Sequence, residues 1–147
     1  MQQQQETRRQ NMEQERGRIA WKNVQSIVTK QYKTLQKEYR SLARGLNAMI
    51  QINGLGQTLG FLKAKGKSDK DKAHYLLLQD LTDWMKDEQH FSSANGDVMQ
   101  YTHDGLLKWV VDAGTSSADY RRATAECLAF GNWLRRFAEA ELEGDES

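Results

Sequence analysis

Residues 120–137, YRRATAECLAFGNWLRRF, set Tyr120, Ala123, Cys127, Phe130, Leu134 and Phe137 at steps of 3, 4, 3, 4 and 3. That spacing winds one apolar stripe along a single α-helix, the most regular element of the chain. Thr115 to Ala118 join it to a preceding helix that holds Leu106, Leu107, Trp109 and Val110. Phe91 to Gly96 read as a loop, and before it Tyr75, Leu76, Leu78, Leu81, Trp84 and Met85 give another helix a broad apolar face, ending near Glu88. Proline is absent and no segment alternates like a strand.

Further upstream, Trp21, Val24, Val28, Tyr32, Leu35, Tyr39 and Leu42 repeat at steps of 3, 4, 4, 3, 4 and 3, predicting a long buried stripe on a helix that starts near Asn11. Ser41 is expected to cap a second helix after a small bend, running through Leu46, Met49, Ile50, Leu55, Leu59 and Leu62, with an unbroken continuation as the rival reading. Lys63 to Lys72 read as an exposed basic loop in which Gly66 is expected to supply a turn and Ser68 or Asp69 to open the next helix. The fold expected is all-α, a single-domain bundle of about five to six helices with a long N-terminal helix. Residues 1–10 offer nothing to bury and are expected to be a flexible tail or a frayed helical extension, residues 11–143 the bundle, and 144–147 an acidic tail.

The near-neutral balance of +1 hides a division. Residues 1–72 carry 15 Lys+Arg against 6 Asp+Glu, whereas residues 73–147 carry 6 against 14. Such polarity suits a basic face for a polyanion or copies meeting basic end to acidic end, unless folding interleaves the halves. A single cysteine, Cys127, excludes an internal disulfide and fits a cytoplasmic protein. No secretory signal and no membrane-length apolar run is present, so a soluble protein without membrane contact is expected.

Signals for catalysis are weak. His74, His90 and His103 fall in different segments without ligand spacing, so no metal and no cofactor are expected. Asp80, Asp83 and Asp87 share a helical face at i, i+3 and i+7, a solvated acidic face first and a cation-dependent hydrolase site only as a rival. Cys127 sits on the apolar stripe and reads as an inert buried thiol. Gly54, Gly56 and Gly60 do not match the dinucleotide fingerprint; within a helix they point to a close approach of another helix or subunit. The chain is therefore not expected to be an enzyme.

The functional argument rests on cations. Arg16, Arg18 and Lys22 cluster on the first helix, Lys30, Lys33, Lys37, Arg40 and Arg44 follow at helical spacing, and Lys63, Lys65 and Lys67 crowd one loop. On a polar face they would attract phosphate without reading bases, though a merely solvated face is the standing alternative.

Two blocks, residues 51–62 (QINGLGQTLGFL) and residues 120–138 with their Tyr120-Arg121-Arg122 and Trp133-Leu134-Arg135-Arg136-Phe137-Ala138 segments, resemble the small all-helical subunit, subunit five, of type III-B CRISPR effector complexes, the Cmr complexes. The resemblance covers roughly residues 16 to 140. It implies a non-catalytic subunit in antiviral defence that stacks with further copies of itself along the complex. The partners implied are the other Cmr complex subunits, both backbone and large, and the guide RNA with its target RNA. Carried onto this chain, the implied RNA-binding residues are Arg16, Arg18, Lys22, Lys63, Lys65, Lys67, Arg121, Arg122 and Arg135. Leu42-Ala43-Arg44-Gly45-Leu46 lacks a proline expected in many relatives. A helical protein–protein adaptor without RNA contact is the alternative.

Overall fold

The last helix folds as its stripe dictates. In the computed structural model, which describes residues 2–87 and 102–144, α6 (Ser117–Glu141) buries Ala123, Cys127, Phe130, Leu134 and Ala138 along one side. Ser116 caps it, its hydroxyl accepting from the Asp119 N–H at 3.0 Å. Before it come α1 (Gln2–Lys30), α2 (Lys33–Asn53), α3 (Leu55–Gly66), α4 (Ala73–Asp87) and α5 (Gly105–Val110), with no strand among the described residues. The expected loop at 91–96 lies outside those residues.

Helix α6 is the axis of the bundle. It packs along α1 on one side and α2 on the other, with α4 against both α2 and α6, and α3 and α5 against α4. Contacts from Arg16 to Glu126, Trp21 to Phe137 and Gln25 to Glu141 advance together, so α1 runs parallel to α6. Contacts from Asn47 to Leu128 and Gln36 to Glu143 advance oppositely, so α2 runs antiparallel to it. Between the layers, Trp84 of α4 stacks on Phe130 with centroids 5.0 Å apart and planes 5° from parallel.

Three boundaries differ from expectation. Helix α1 starts at Gln2 rather than near Asn11, and extends about 43 Å at 1.5 Å per residue. The bend expected at Ser41 instead falls ten residues earlier, where Gln31 takes φ 60° and Tyr32 is extended, leaving Ser41 inside α2. That break resets the helical phase, so the stripe read straight through it is only partly buried. Trp21 and Tyr32 are 43% and 67% exposed, while Ala20, Val24 and Ile27 face the core. Helix α4 opens at Ala73, not at Ser68 or Asp69, after a turn in which Lys67 holds φ 49°.

The glycine segment is a junction, not one helix. Gly54 sits at φ 87° and ψ 160°, a region essentially closed to residues with a Cβ, and separates α2 from α3. Its carbonyl receives both the N–H and the hydroxyl of Thr58, which restarts the helix. Gly56 does approach a neighbour, its N–H donating to the Tyr120 hydroxyl at 2.8 Å. Gly60 does not, since a Cβ there would meet nothing within 4 Å. The closest backbone approach lies instead at Gly66, where a Cβ would fall 2.6 Å from the Tyr75 nitrogen.

These geometries give opposite expectations for one substitution. Gly54→Ala should destabilise the fold by about 1–3 kcal/mol, and Gly60→Ala should stabilise it by about 0.5–1 kcal/mol. Urea unfolding of both variants checks the pair; equal effects would place the junction elsewhere.

Candidate nucleic-acid interface

Side-chain geometry divides the nine cations singled out from the sequence. Arg16 turns inward: its Nε and Nη2 donate to Glu126 Oε2 and Oε1 at 2.7 and 2.8 Å, and its Nη1 to Glu13 at 3.0 Å. Trp84 Nε1 donates to the same Glu126 at 3.0 Å, so one carboxylate gathers α1, α4 and α6. Arg18 pairs with Glu15 one turn away. Lys63 meets Asp104 at 3.1 Å, with Lys108 on the other oxygen at 3.4 Å. Burial pushes the Asp104 carboxyl up, but hydrogen bonds from Thr102 and Lys63 and the charges of Lys63 and Lys108 outweigh it and hold the group at about 2. Arg122 lies 3.6 Å from Asp119, and Arg135 lies 2.8 Å from Glu139. Lys22, Lys65, Lys67 and Arg121 are exposed, with no ion pair among the described residues.

The nine therefore do not converge on one site. What the fold does bring together is a cleft of about 470 Å³ between α2 and α6, lined by Lys37, Arg40, Ser41, Arg44 and Arg135. Their spacing along α2, at i, i+3, i+4 and i+7, puts the first four on one side of that helix, and the antiparallel packing sets that side beside Arg135. The Arg135 hydrogen bond holds the Glu139 carboxyl below its usual range against the opposing effect of burial, and the charges of Arg135, Arg44 and Arg40 add to the lowering. On the far side of Arg135 opens a second cleft, about 920 Å³, between α6 and α1, where Trp133 and Phe137 join Asn132, Arg136, Glu13 and Glu139. Lys37, Arg40 and Arg44 are visible in the sequence as helically spaced cations; their convergence on Arg135 requires the α2–α6 packing.

A protein-family model described as CRISPR-associated protein (Cas_Cmr5) matches residues 12–141. This chain belongs to the Cmr5 family. A relative from Thermus thermophilus, the CRISPR system Cmr subunit Cmr5, is 31% identical over 108 residues, covering 72% of this chain and 76% of that protein. The X-ray structure of a CRISPR-associated Cmr5 family protein, also from Thermus thermophilus, aligns with a TM-score of 0.68 at 25% identity, covering 90% of this chain and 98% of that one.

Several other titratable groups among the described residues of this Cmr5-family chain are engaged within the fold. Asp80 does not share an outward face with Asp83: it turns toward α2 and accepts from the Tyr39 hydroxyl at 2.6 Å, whereas Asp83 pairs with Lys86 at 3.1 Å. The Asp87 side chain and His90 lie outside the described residues. His74 packs edge-on to Phe61 and His103 stacks on Tyr75, and burial pushes both imidazoles below their usual range. Cys127 is fully buried, and burial pushes its thiol far above neutrality. No helix among the described residues is long and apolar enough to cross a membrane.

Two stability effects follow from this wiring. Glu126→Ala leaves the part-buried Arg16 guanidinium with Glu13 as its remaining carboxylate and the Trp84 N–H without its acceptor, and should cost roughly 1–3 kcal/mol, with Trp84 fluorescence reporting the loosened α4–α6 contact. Burial raises Asp80 to about 7, only partly offset by the Tyr39 hydrogen bond, with the Asp83 charge adding to the rise and Lys30 opposing it. Between its unfolded value near 3.8 and about 7 the folded chain holds the extra proton, so this group's contribution to stability falls as pH rises through that window. Asp80→Asn should therefore gain stability over the parent from about pH 4 to pH 8, read by urea unfolding; a constant difference across that range would contradict the assignment.

Proposed function

We propose that this Cmr5-family chain is a non-catalytic subunit of a type III-B CRISPR effector ribonucleoprotein, a Cmr complex acting in antiviral defence in the cytoplasm. In this reading it docks on the backbone and large subunits, stacks with further copies of itself, and holds target RNA or the guide–target duplex through phosphates. The observation that carries the RNA contact is the α2–α6 cleft, where Lys37, Arg40, Arg44 and Arg135 line one groove and Ser41 adds a hydroxyl. A groove so lined attracts a phosphate backbone and leaves sequence to base pairing, as in other guided effectors. Lys65 and Lys67, exposed at the end of α3, supply a second patch for the same strand.

A protein-only adaptor is the rival, favoured by the ion pairs that engage Arg16, Arg18, Lys63, Arg122 and Arg135. Salt dependence separates the two. Lys37→Glu combined with Arg44→Glu, both at exposed positions, should leave the helical fold intact and weaken target RNA capture by the assembled complex. Removing each phosphate-binding cation should also flatten the log–log salt slope by about 0.7. Lys65→Glu with Lys67→Glu tests the second patch, sparing Lys63 because of its bond to Asp104. Capture and slope unchanged in both double variants would favour the adaptor.

A further inference from the structure

We infer that the α1–α6 cleft is a stacking site for one unpaired base of the RNA strand whose phosphates run along the α2–α6 cleft. This inference rests on the RNA-contact reading above and adds to it a base-sized aromatic platform. The platform is built before any ligand arrives. Trp133 lies so close to α1 that a Cβ on Gly17 would sit 3.3 Å from its ring, and its Nε1 donates to Glu13 Oε1 at 2.9 Å. Glu13 is itself held by Arg16 at 3.0 Å, so the indole is fixed on one face and at its polar edge while still lining the cleft. Phe137 sits 5.5 Å from it at a 37° tilt, braced edge-on by Trp21 at 5.1 Å. Fixing the ring in advance removes the ordering cost that a mobile side chain would add on binding.

A rim of both signs around two rings suits an amphipathic base better than an apolar occupant: Arg135 and Arg136 are balanced in the lining by Glu13, which Arg16 and the Trp133 indole hold, and by Glu139, which Arg135 holds. Arg135 forms the wall common to both clefts, and Arg136 lines the aromatic one without an ion pair among the described residues. A strand crossing the α6 ridge, roughly 10 Å wide, thus meets cations on the α2 side and π faces on the α1 side. That is the combination used for single-stranded nucleic acid: cations for the backbone and rings for the bases, with stacking tolerant of sequence. The cleft volume of about 920 Å³ exceeds what one base needs, which leaves room for its sugar.

The test uses the assembled complex and target RNAs that carry the photoreactive base 5-iodouracil at successive positions. Illumination should couple one position to Trp133 or Phe137, identified by mass spectrometry of the α6 peptide. Trp133→Phe, which keeps a π face, should retain the adduct. Trp133→Leu should lose it, the local base affinity falling about 5- to 150-fold, the range of aromatic–base stacking. Adducts confined to other residues, in a complex whose capture is still salt-dependent and still weakened by Lys37→Glu with Arg44→Glu, would overturn the stacking site and leave the phosphate reading standing. Unchanged capture in that double variant and in Lys65→Glu with Lys67→Glu would instead remove the phosphate reading, and the stacking site with it. A benzophenone side chain at position 137 that couples to a protein subunit rather than RNA would also overturn it.

Discussion

The carboxylate of Glu126 fixes how the helices of this chain meet. Two arms of the Arg16 guanidinium and the Trp84 indole N–H converge on it from α1 and α4. Bringing charges into a half-dry helix seam is unfavourable unless every partner is in place, so the contact selects one register of α1 against α6 rather than adding bulk stability. From that register follow the parallel course of α1, the seating of Trp133 over Gly17 and the meeting of Trp21 with Phe137. A slip of one turn along α1 would separate all of them.

Helix α6 consequently serves two environments. Its stripe of Ala123, Cys127, Phe130, Leu134 and Ala138 closes the core, and the stacking of Trp84 on Phe130 ties that stripe to α4. Its opposite side, from Asn132 to Glu139, forms a ridge between a cationic cleft and an aromatic one. Membership of the Cmr5 family gives that ridge a setting, and the proposed contact with RNA needs no reactive group from this chain. The Cys127 thiol, the His74 and His103 imidazoles and Asp80 are each engaged in packing or hydrogen bonding.

Much of the fold is legible in the sequence because helices declare themselves by period. The α6 stripe, the apolar face of α4 and the short α5 stand where the spacing of Leu, Trp and Phe puts them. The break at Gln31 is hidden, since Lys30-Gln31-Tyr32 contains no glycine, proline or asparagine and the positive φ falls on an ordinary residue. Gly54 reads as a packing glycine in one dimension, whereas its conformation, not its size, is what the junction needs. The family is also readable, from the two blocks at residues 51–62 and 120–138. Individual site residues are not. Arg16 and Lys63 look like surface cations in the sequence; only the tertiary structure supplies Glu126 and Asp104 as their partners.

Hydroxyl-radical footprinting of the chain within its assembled complex, with and without target RNA, tests this account most directly. The outward side of α6 and the inward stripe should behave differently. Trp133 and Phe137 should be oxidised in the RNA-free complex and protected once RNA is loaded, while Cys127 and Phe130 stay unreactive in both states. Equal oxidation of Trp133 and Phe137 with and without RNA would contradict the claim that one helix closes the core and meets the strand.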